Sequence, residues 1–250
     1  MASEPQLPLN DRVAVVTGAS RGIGYFAARA LAEAGAHVIA VARTVGGLEE
    51  LDDEIQAAGG DATLVPVDLE DFEAIDRLGA AIFERWKKLD ILVANAGILG
   101  QISPVGHVDP DVFESVMRIN VTANWRLIRS FDPLLRLSDA GRAVFLSSGA
   151  AHKCRPFWGA YSASKAALEA LVRTYAAEMV NSSVRANLIN PGPMRTAMRA
   201  QAMPGENPET LPHPSELAPH IVRLSSPDFT ETGKLFDFAT GALEESQAAF

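Results

Sequence analysis

A short apolar segment, Val13-Ala14-Val15-Val16-Thr17, runs directly into Gly18-Ala19-Ser20-Arg21-Gly22-Ile23-Gly24. A helical pattern follows through Phe26, Ala27, Ala30 and Leu31 and stops at Gly35. A continuous, largely β-branched run of this length reads as a parallel strand covered on both faces. Glycines between such a strand and a helix permit a tight turn, close approach of backbone N–H groups to a pyrophosphate, and close helix–sheet packing. The spacing is G-x-x-x-G-x-G, not the G-x-G-x-x-G of the standard dinucleotide fingerprint. A glycine motif alone is often only a turn, but between strand and helix it points to nucleotide binding. Gly18, Ser20, Arg21, Gly22, Ile23 and Gly24 are therefore cofactor-binding candidates.

The same alternation continues. Strands are expected at 38–41, 63–67, 91–94, 143–146, 184–189 and 235–238, and helices at 48–57, 71–87, 109–137, up to about 180, and 215–224. The second strand ends at Ala42-Arg43, where an acidic residue would select a free ribose 2′-hydroxyl. Arg43, with Arg21 as a second cation, suits a 2′-phosphate instead, and NADP(H) is expected over NAD(H). Two ordinary solvated arginines are the bland alternative. Asp68, followed by Leu69 at the third strand's end, suits an adenine amino group or the cap of the next helix. Asn95-Ala96-Gly97 forms a tight, small-residue turn after the fourth strand, against which a flat ring could lie. Phe72, Ile75, Leu78, Ile82 and Phe83 recur at helical spacing and are read as core. Residues 194–214, rich in Met and Pro, break the rhythm and read as a mobile flap over a substrate.

Of 250 residues, 48% are hydrophobic and 21% charged, which fits one globular domain over 1–250 with a core of about 10–240. The start is expected to be frayed and the tail after Gly241 loose. A net charge of −9 with no basic stripe argues against nucleic acid. The single cysteine, Cys154, fits a reducing compartment, and the first eleven residues carry no charged-then-apolar signal. No apolar run approaches the ~20 residues needed to span a bilayer. A cytoplasmic protein without membrane or metal partners is expected.

Tyr161-Ser162-Ala163-Ser164-Lys165 puts a phenol and an ammonium on one helix face. A free phenol titrates at about 10, and a neighbouring cation is expected to lower that value, making Tyr161 an acid/base near neutrality. The spacing also recurs by chance on amphipathic helices. Asn120 interrupts an apolar stretch, and most such residues fix a helix or hold a water. Trp158, Phe157, His152, Ile98 and the flap methionines are candidates for pocket walls, with core packing as the alternative for each.

Thr17 through Gly24, Asn95-Ala96-Gly97, Asn120, Ser148, Tyr161 with Lys165, and Pro191-Gly192 together resemble the short-chain dehydrogenase/reductase family, over about residues 10–240. Ser148 precedes Tyr161 by thirteen residues, the family's separation between its serine and tyrosine, which favours Ser148 over Ser147. The resemblance implies an α/β Rossmann-type fold, a doubly wound parallel sheet of about seven strands in the order 3-2-1-4-5-6-7. It implies hydride transfer between NADP(H) and a small carbonyl or alcohol, in a homodimer or homotetramer packed through the helices at 109–137 and 158–180. Tyr161 would protonate the carbonyl oxygen, and Ser148 would hydrogen-bond it. Lys165 would lower the phenol pKa and hold the nicotinamide ribose, and Asn120 would anchor a water leading from Lys165. Pro191, Gly192 and Thr196 would clasp the carboxamide and phosphates. The ending departs from the family's Asp-Gly-Gly, since Phe236-Asp237-Phe238-Ala239 follows Thr232-Gly233.

Two other readings compete. A dinucleotide-binding redox sensor or scaffold would not need all four of Asn120, Ser148, Tyr161 and Lys165. A C=C reductase on the same fold would be expected to space its tyrosine and lysine differently.

Overall fold

The computed structural model describes residues 7–245. Five wholly buried residues form β1 (Val13–Thr17), followed by α1 (Gly22–Glu33), β2 (His37–Ala42), α2 (Val45–Ala57) and β3 (Asp61–Pro66). After α3 (Phe72–Trp86) comes β4 (Ile91–Ala94). A long helical run then comprises α4 (Pro110–Met117), a π turn over Arg118–Thr122, and α5 (Ala123–Leu135). Next are β5 (Arg142–Leu146), the short α6 (Ala150–Lys153), α7 (Gly159–Glu178) and β6 (Arg185–Asn190). The chain closes with α8 (Ala197–Ala202), α9 (Ala218–Ser225), β7 (Lys234–Asp237) and β8 (Ala242–Glu245).

The sheet order is β3-β2-β1-β4-β5-β6-β7-β8. Pairing is parallel up to β7, and β8 is antiparallel to it, with Lys234 opposite Glu245 and Asp237 opposite Ala242. Side chains alternate across the sheet. Ala14 and Val16 of β1 enter one apolar layer with Leu31 and Ile221, whereas Val13 and Val15 enter the other with Phe131 and Phe145. Two buried layers explain why the strands read as unbroken apolar runs. The chain runs outward in opposite directions from β1 and β4, so a crevice opens beyond their carboxyl ends, where ligands bind in such sheets.

Three expectations change. Among the described residues the sheet has eight strands, because residues 242–245 turn back instead of trailing loose. Gly241 adopts φ +68° and donates from its N–H to the Asp237 carbonyl at 2.9 Å, and Lys234 Nζ meets Glu245 Oε1 at 2.8 Å. Residues 246–250 lie outside the described residues. The frayed start, too, is ordered from Leu7 onward: Leu9 is fully buried and donates to Ala34 O at 2.9 Å. Residues 1–6 lie outside the described residues. Phe83 is not core. It is 46% exposed, with Lys87 Nζ 5.2 Å from its ring centroid.

Candidate active site

A cleft of about 880 Å³ lies beyond the carboxyl ends of the strands. Gly18, Ser20, Arg21, Gly22 and Ile23 line it, together with Arg43, Asp68, Leu69, Asn95, Ala96 and Gly97. So do Ser148, Tyr161, Lys165, Pro191, Gly192 and Thr196. Two of the residues singled out in the sequence, Gly24 and Asn120, stand behind its wall.

The glycine turn is built for close approach. Gly18 and Gly22 adopt φ +68° and +60°, a region that favours glycine. A methyl group on Gly24 would collide with the Gly18 carbonyl oxygen and Asn95 Nδ2, so Gly24 lets α1 pack against the turn. The first turn of α1 has no side-chain cap and no acidic residue, which leaves its N–H groups free for an anion. Thr17 Oγ1 accepts from the backbone N–H groups of Asn95 and Ala96 at 3.0 and 3.1 Å, and Asn95 Nδ2 donates to Thr17 O at 2.9 Å. The two turns are thus tied side by side. Thr17, buried and polar at a strand end, was the signal for this tie, and sequence reasoning gave it no role of its own.

At the β2 end, Arg43 Nη1 stands 3.8 Å from Asp68 Oδ2, with both side chains well exposed. That loose pair leaves the guanidinium available. Asp68 Oδ1 accepts from the Glu70 N–H at 3.0 Å, and Asp71, not Asp68, caps α3 through the Ala74 N–H at 3.0 Å. A free helix N-terminus, a close glycine turn and two exposed guanidiniums fit a phosphorylated dinucleotide.

On the opposite wall, α7 presents Tyr161, Lys165 and Glu169 one turn apart to the exit of β5. Lys165 Nζ donates to Leu146 O at 2.7 Å, Ser147 Oγ donates to Glu169 Oε1 at 2.5 Å, and the Ser148 hydroxyl reaches the Tyr161 phenol. Ser148 faces the cleft while Ser147 is spent on Glu169. Asn120, inside the π turn, accepts from Ile98 N and donates to Ile98 O and Ser164 Oγ, each at 2.9 Å. Its amide is committed to those partners. Ser164 Oγ in turn donates to Tyr161 O at 2.8 Å. Glu169 and the Asn120–Ser164 bond were missed in the sequence because the partners are remote.

The expected lowering of the phenol by Lys165 is not what the geometry produces. Burial pushes the Tyr161 phenol up, and only the Ser148 hydroxyl acts against it. Lys165 Nζ sits 5.7 Å from the centre of the tyrosine ring and points its hydrogen bond elsewhere. Lys165 itself is pushed down to about 8 by burial, with Glu169 opposing.

The stretch 194–214 covers one side of the cleft. Met194 is buried, Met198 lines the cleft, and Met203 is partly exposed. Thr196 Oγ1 caps α8 by accepting from Arg199 N at 3.2 Å, and Arg199 Nε meets Glu206 at 2.5 Å. Trp158 and Ile98 line the cleft as walls. Phe157 is instead 53% exposed and His152 turns to Glu169.

Fold and cleft define a dinucleotide-dependent oxidoreductase of the Rossmann type. Residues 12–207 match the short chain dehydrogenase family, and the chain belongs to it. It is 39% identical over 237 residues to the uncharacterized oxidoreductase YciK of Escherichia coli K12, covering 93% of this chain and 94% of that one. A short chain dehydrogenase structure from Pseudomonas syringae superposes with a TM-score of 0.90 at 40% identity, over 94% of this chain and 97% of that one. Another, from Shigella flexneri and complexed with NADP, gives 0.89 at 39% identity, over 93% and 99%. The protein is therefore an NAD(P)-dependent short-chain dehydrogenase/reductase. Among the described residues no helix is long and apolar enough to cross a membrane.

Proposed function

We propose that the protein interconverts a small-molecule carbonyl and its alcohol with NADP(H), using Tyr161 as general acid/base. The observation that carries this reading is the Tyr161 phenol, buried at the cleft wall within hydrogen-bonding reach of the Ser148 hydroxyl. When bound, the dinucleotide supplies a hydride to the carbonyl carbon. Negative charge then builds on the carbonyl oxygen, where Ser148 offers a preorganised hydrogen bond and Tyr161 a proton. A phenol kept neutral by burial is suited to giving that proton. Lys165 adds a positive charge behind the phenol and a donor toward the ribose. Asn120 and Ser164 brace the helix turn that carries Tyr161.

Gly18, Ser20, Arg21, Gly22 and Ile23 would cradle the pyrophosphate and the adenosine end, with Arg43 on the 2′-phosphate and Asp68 and Leu69 beside the adenine. Asn95, Ala96, Gly97, Pro191, Gly192 and Thr196 would hold the nicotinamide half. The NADP-complexed relative supports the cofactor choice. The flap over 194–214 would close on substrate. A homodimer or homotetramer through α4–α5 and α7 is in keeping with Phe113 and Trp125, each more than 40% exposed. The lone Cys154 fits a cytoplasmic setting.

The test is Tyr161→Phe. Turnover of ketones and aldehydes with NADPH is expected to fall at least ~100-fold while NADPH binding, read by fluorescence titration, is kept. Equal loss of both would make the tyrosine a structural residue.

A further inference from the structure

The charges of the cleft narrow the substrate class. The chain carries 31 Asp and Glu against 22 Lys and Arg, yet among the described residues the only carboxylate lining the cleft is Asp68. Its cationic lining divides by partner. Arg195 and Arg199 are closed on Glu209 and Glu206 at 3.1 and 2.5 Å. Lys165 is committed to Leu146 O, and Arg21 and Arg43 stand beyond the exits of β1 and β2, where the proposed cofactor needs them. Lys153 and Arg155 are left over. Both line the cleft, and neither side chain has an ion-pair or hydrogen-bond partner among the described residues.

Their placement is held from several sides. Ser148 Oγ accepts from the Ala150 N–H at 3.2 Å, and His152 Nε2 meets the buried Glu169 Oε2 at 2.9 Å, so α6 is pinned at the front and from behind. Lys153 curls back over the start of its own helix: a methyl on Gly149 would stand 3.6 Å from its Nζ. Arg155 follows Cys154, whose φ of +41° is left-handed, and Phe157 is left-handed again at +74°. Two non-glycine residues in that region cost strain, which persists only where surrounding structure enforces it and concentrates at functional sites. Here the Ser103 N–H holds the turn by donating to Phe157 O at 3.0 Å. Trp158 then forms an aromatic wall, its ring 6.0 Å from that of Tyr161. In an acidic protein, two unpaired cations on a strained, anchored turn beside Ser148 concentrate positive potential where a substrate would enter.

We propose that Lys153 and Arg155 form a binding site for an anionic group, carboxylate or phosphate, carried by the carbonyl substrate. This rests on the reading of the cleft as a carbonyl site, so the test includes a readout that needs no turnover. Matched pairs are compared: 4-carboxybenzaldehyde against benzaldehyde, and glyceraldehyde 3-phosphate against glyceraldehyde. With NADPH-loaded Tyr161→Phe protein, calorimetry is expected to show the charged member of at least one pair binding about tenfold more tightly at low salt. That advantage is expected to shrink at about 0.5 M salt. The pair showing the larger advantage separates carboxylate from phosphate. In the double variant Lys153→Ala, Arg155→Ala the ratio between charged and neutral members is expected to collapse toward one, in calorimetry and in wild-type-background kcat/KM alike. Neutral compounds binding as well as charged ones, or a ratio unmoved by the double variant, would overturn the inference. A Tyr161→Phe protein that still turns over would sink the catalytic assignment instead, and the two failures are read separately.

Discussion

Ser147 Oγ donates to Glu169 Oε1 at 2.5 Å, with both residues buried, Ser147 in the cleft wall and Glu169 behind it. Lys165, one turn earlier on α7, grips the preceding residue through Leu146 O. Two successive residues at the exit of β5 are therefore held by two successive turns of one helix, and the next residue, Ser148, is delivered to Tyr161. A buried carboxylate needs such partners, since without them its charge would be very costly. Glu169 is also the one group that acts to raise Lys165 against its burial.

Removing that carboxylate has a signed consequence. Glu169→Gln keeps an acceptor for Ser147 but deletes the charge, so Lys165 is expected to lose its proton at lower pH. The alkaline limb of kcat should move to lower pH while KM for NADPH stays nearly constant. Glu169→Ala should cost stability as well, roughly 1–3 kcal/mol for the polar groups left unsatisfied. A pH–rate profile of Glu169→Gln that overlays the wild type would remove the electrostatic role and leave only a packing one.

Arg43 lies loosely beside Asp68 at 3.8 Å. Arg43→Ala is expected to weaken NADPH about tenfold or more and NADH little, because charge-assisted contacts to a 2′-phosphate exist for only one of them. Fluorescence titration with both cofactors measures the ratio. A ratio equal to that of the wild type would return Arg43 to the solvated surface.

What could be read beforehand follows the range of the interactions. The turn Gly18 to Gly24 and the pair Tyr161 and Lys165 were legible because their geometry is local: a strand–turn–helix and one helical turn. Glu169 was not, since its partners Ser147 and His152 come from 22 and 17 residues away in sequence, and nothing in the pattern of α7 distinguishes it from a solvated glutamate. The Asn120–Ser164 bond spans 44 residues and was hidden for the same reason. The direction of the Tyr161 shift was misjudged because a neighbouring cation is visible in sequence, whereas burial is not. β8 was missed because Ala242-Leu243-Glu244-Glu245 offers one half-buried residue, Leu243, and its order comes from pairing with β7.

Gly24 and Gly46 should respond in opposite ways to the same added methyl. In Gly24→Ala the new carbon meets Gly18 O and Asn95 Nδ2, and backbone cannot yield cheaply. A loss of about 1–3 kcal/mol or more and impaired NADPH binding are expected. In Gly46→Ala, within α2, nothing lies within 4 Å, so helix propensity should dominate and stabilise by up to about 1 kcal/mol. Urea denaturation of both variants checks this, and a destabilised Gly46→Ala would show that the first turn of α2 does not behave as ordinary helix.

Lys165 should make the folded protein less stable at neutral pH than it would be without that charge. Its ordinary value is 10.5 and burial brings it to about 8. Between those values the unfolded chain holds a proton that the folded one has released, so this group's contribution to stability rises with pH across that window. Below pH 8 the full penalty applies, roughly 3 kcal/mol from the separation of the two values. Lys165→Met should therefore be inactive yet more stable than wild type at pH 7, by an amount reduced by the Leu146 carbonyl it leaves unpaired. The advantage should shrink steadily as pH rises from 8 toward 10.5. Paired urea titrations at pH 7, 8, 9 and 10 measure the difference directly, cancelling groups common to both proteins. A difference that stays flat, or grows with pH, would mean that the ammonium is not held at a cost, and that Leu146 O and Glu169 together compensate its burial in full.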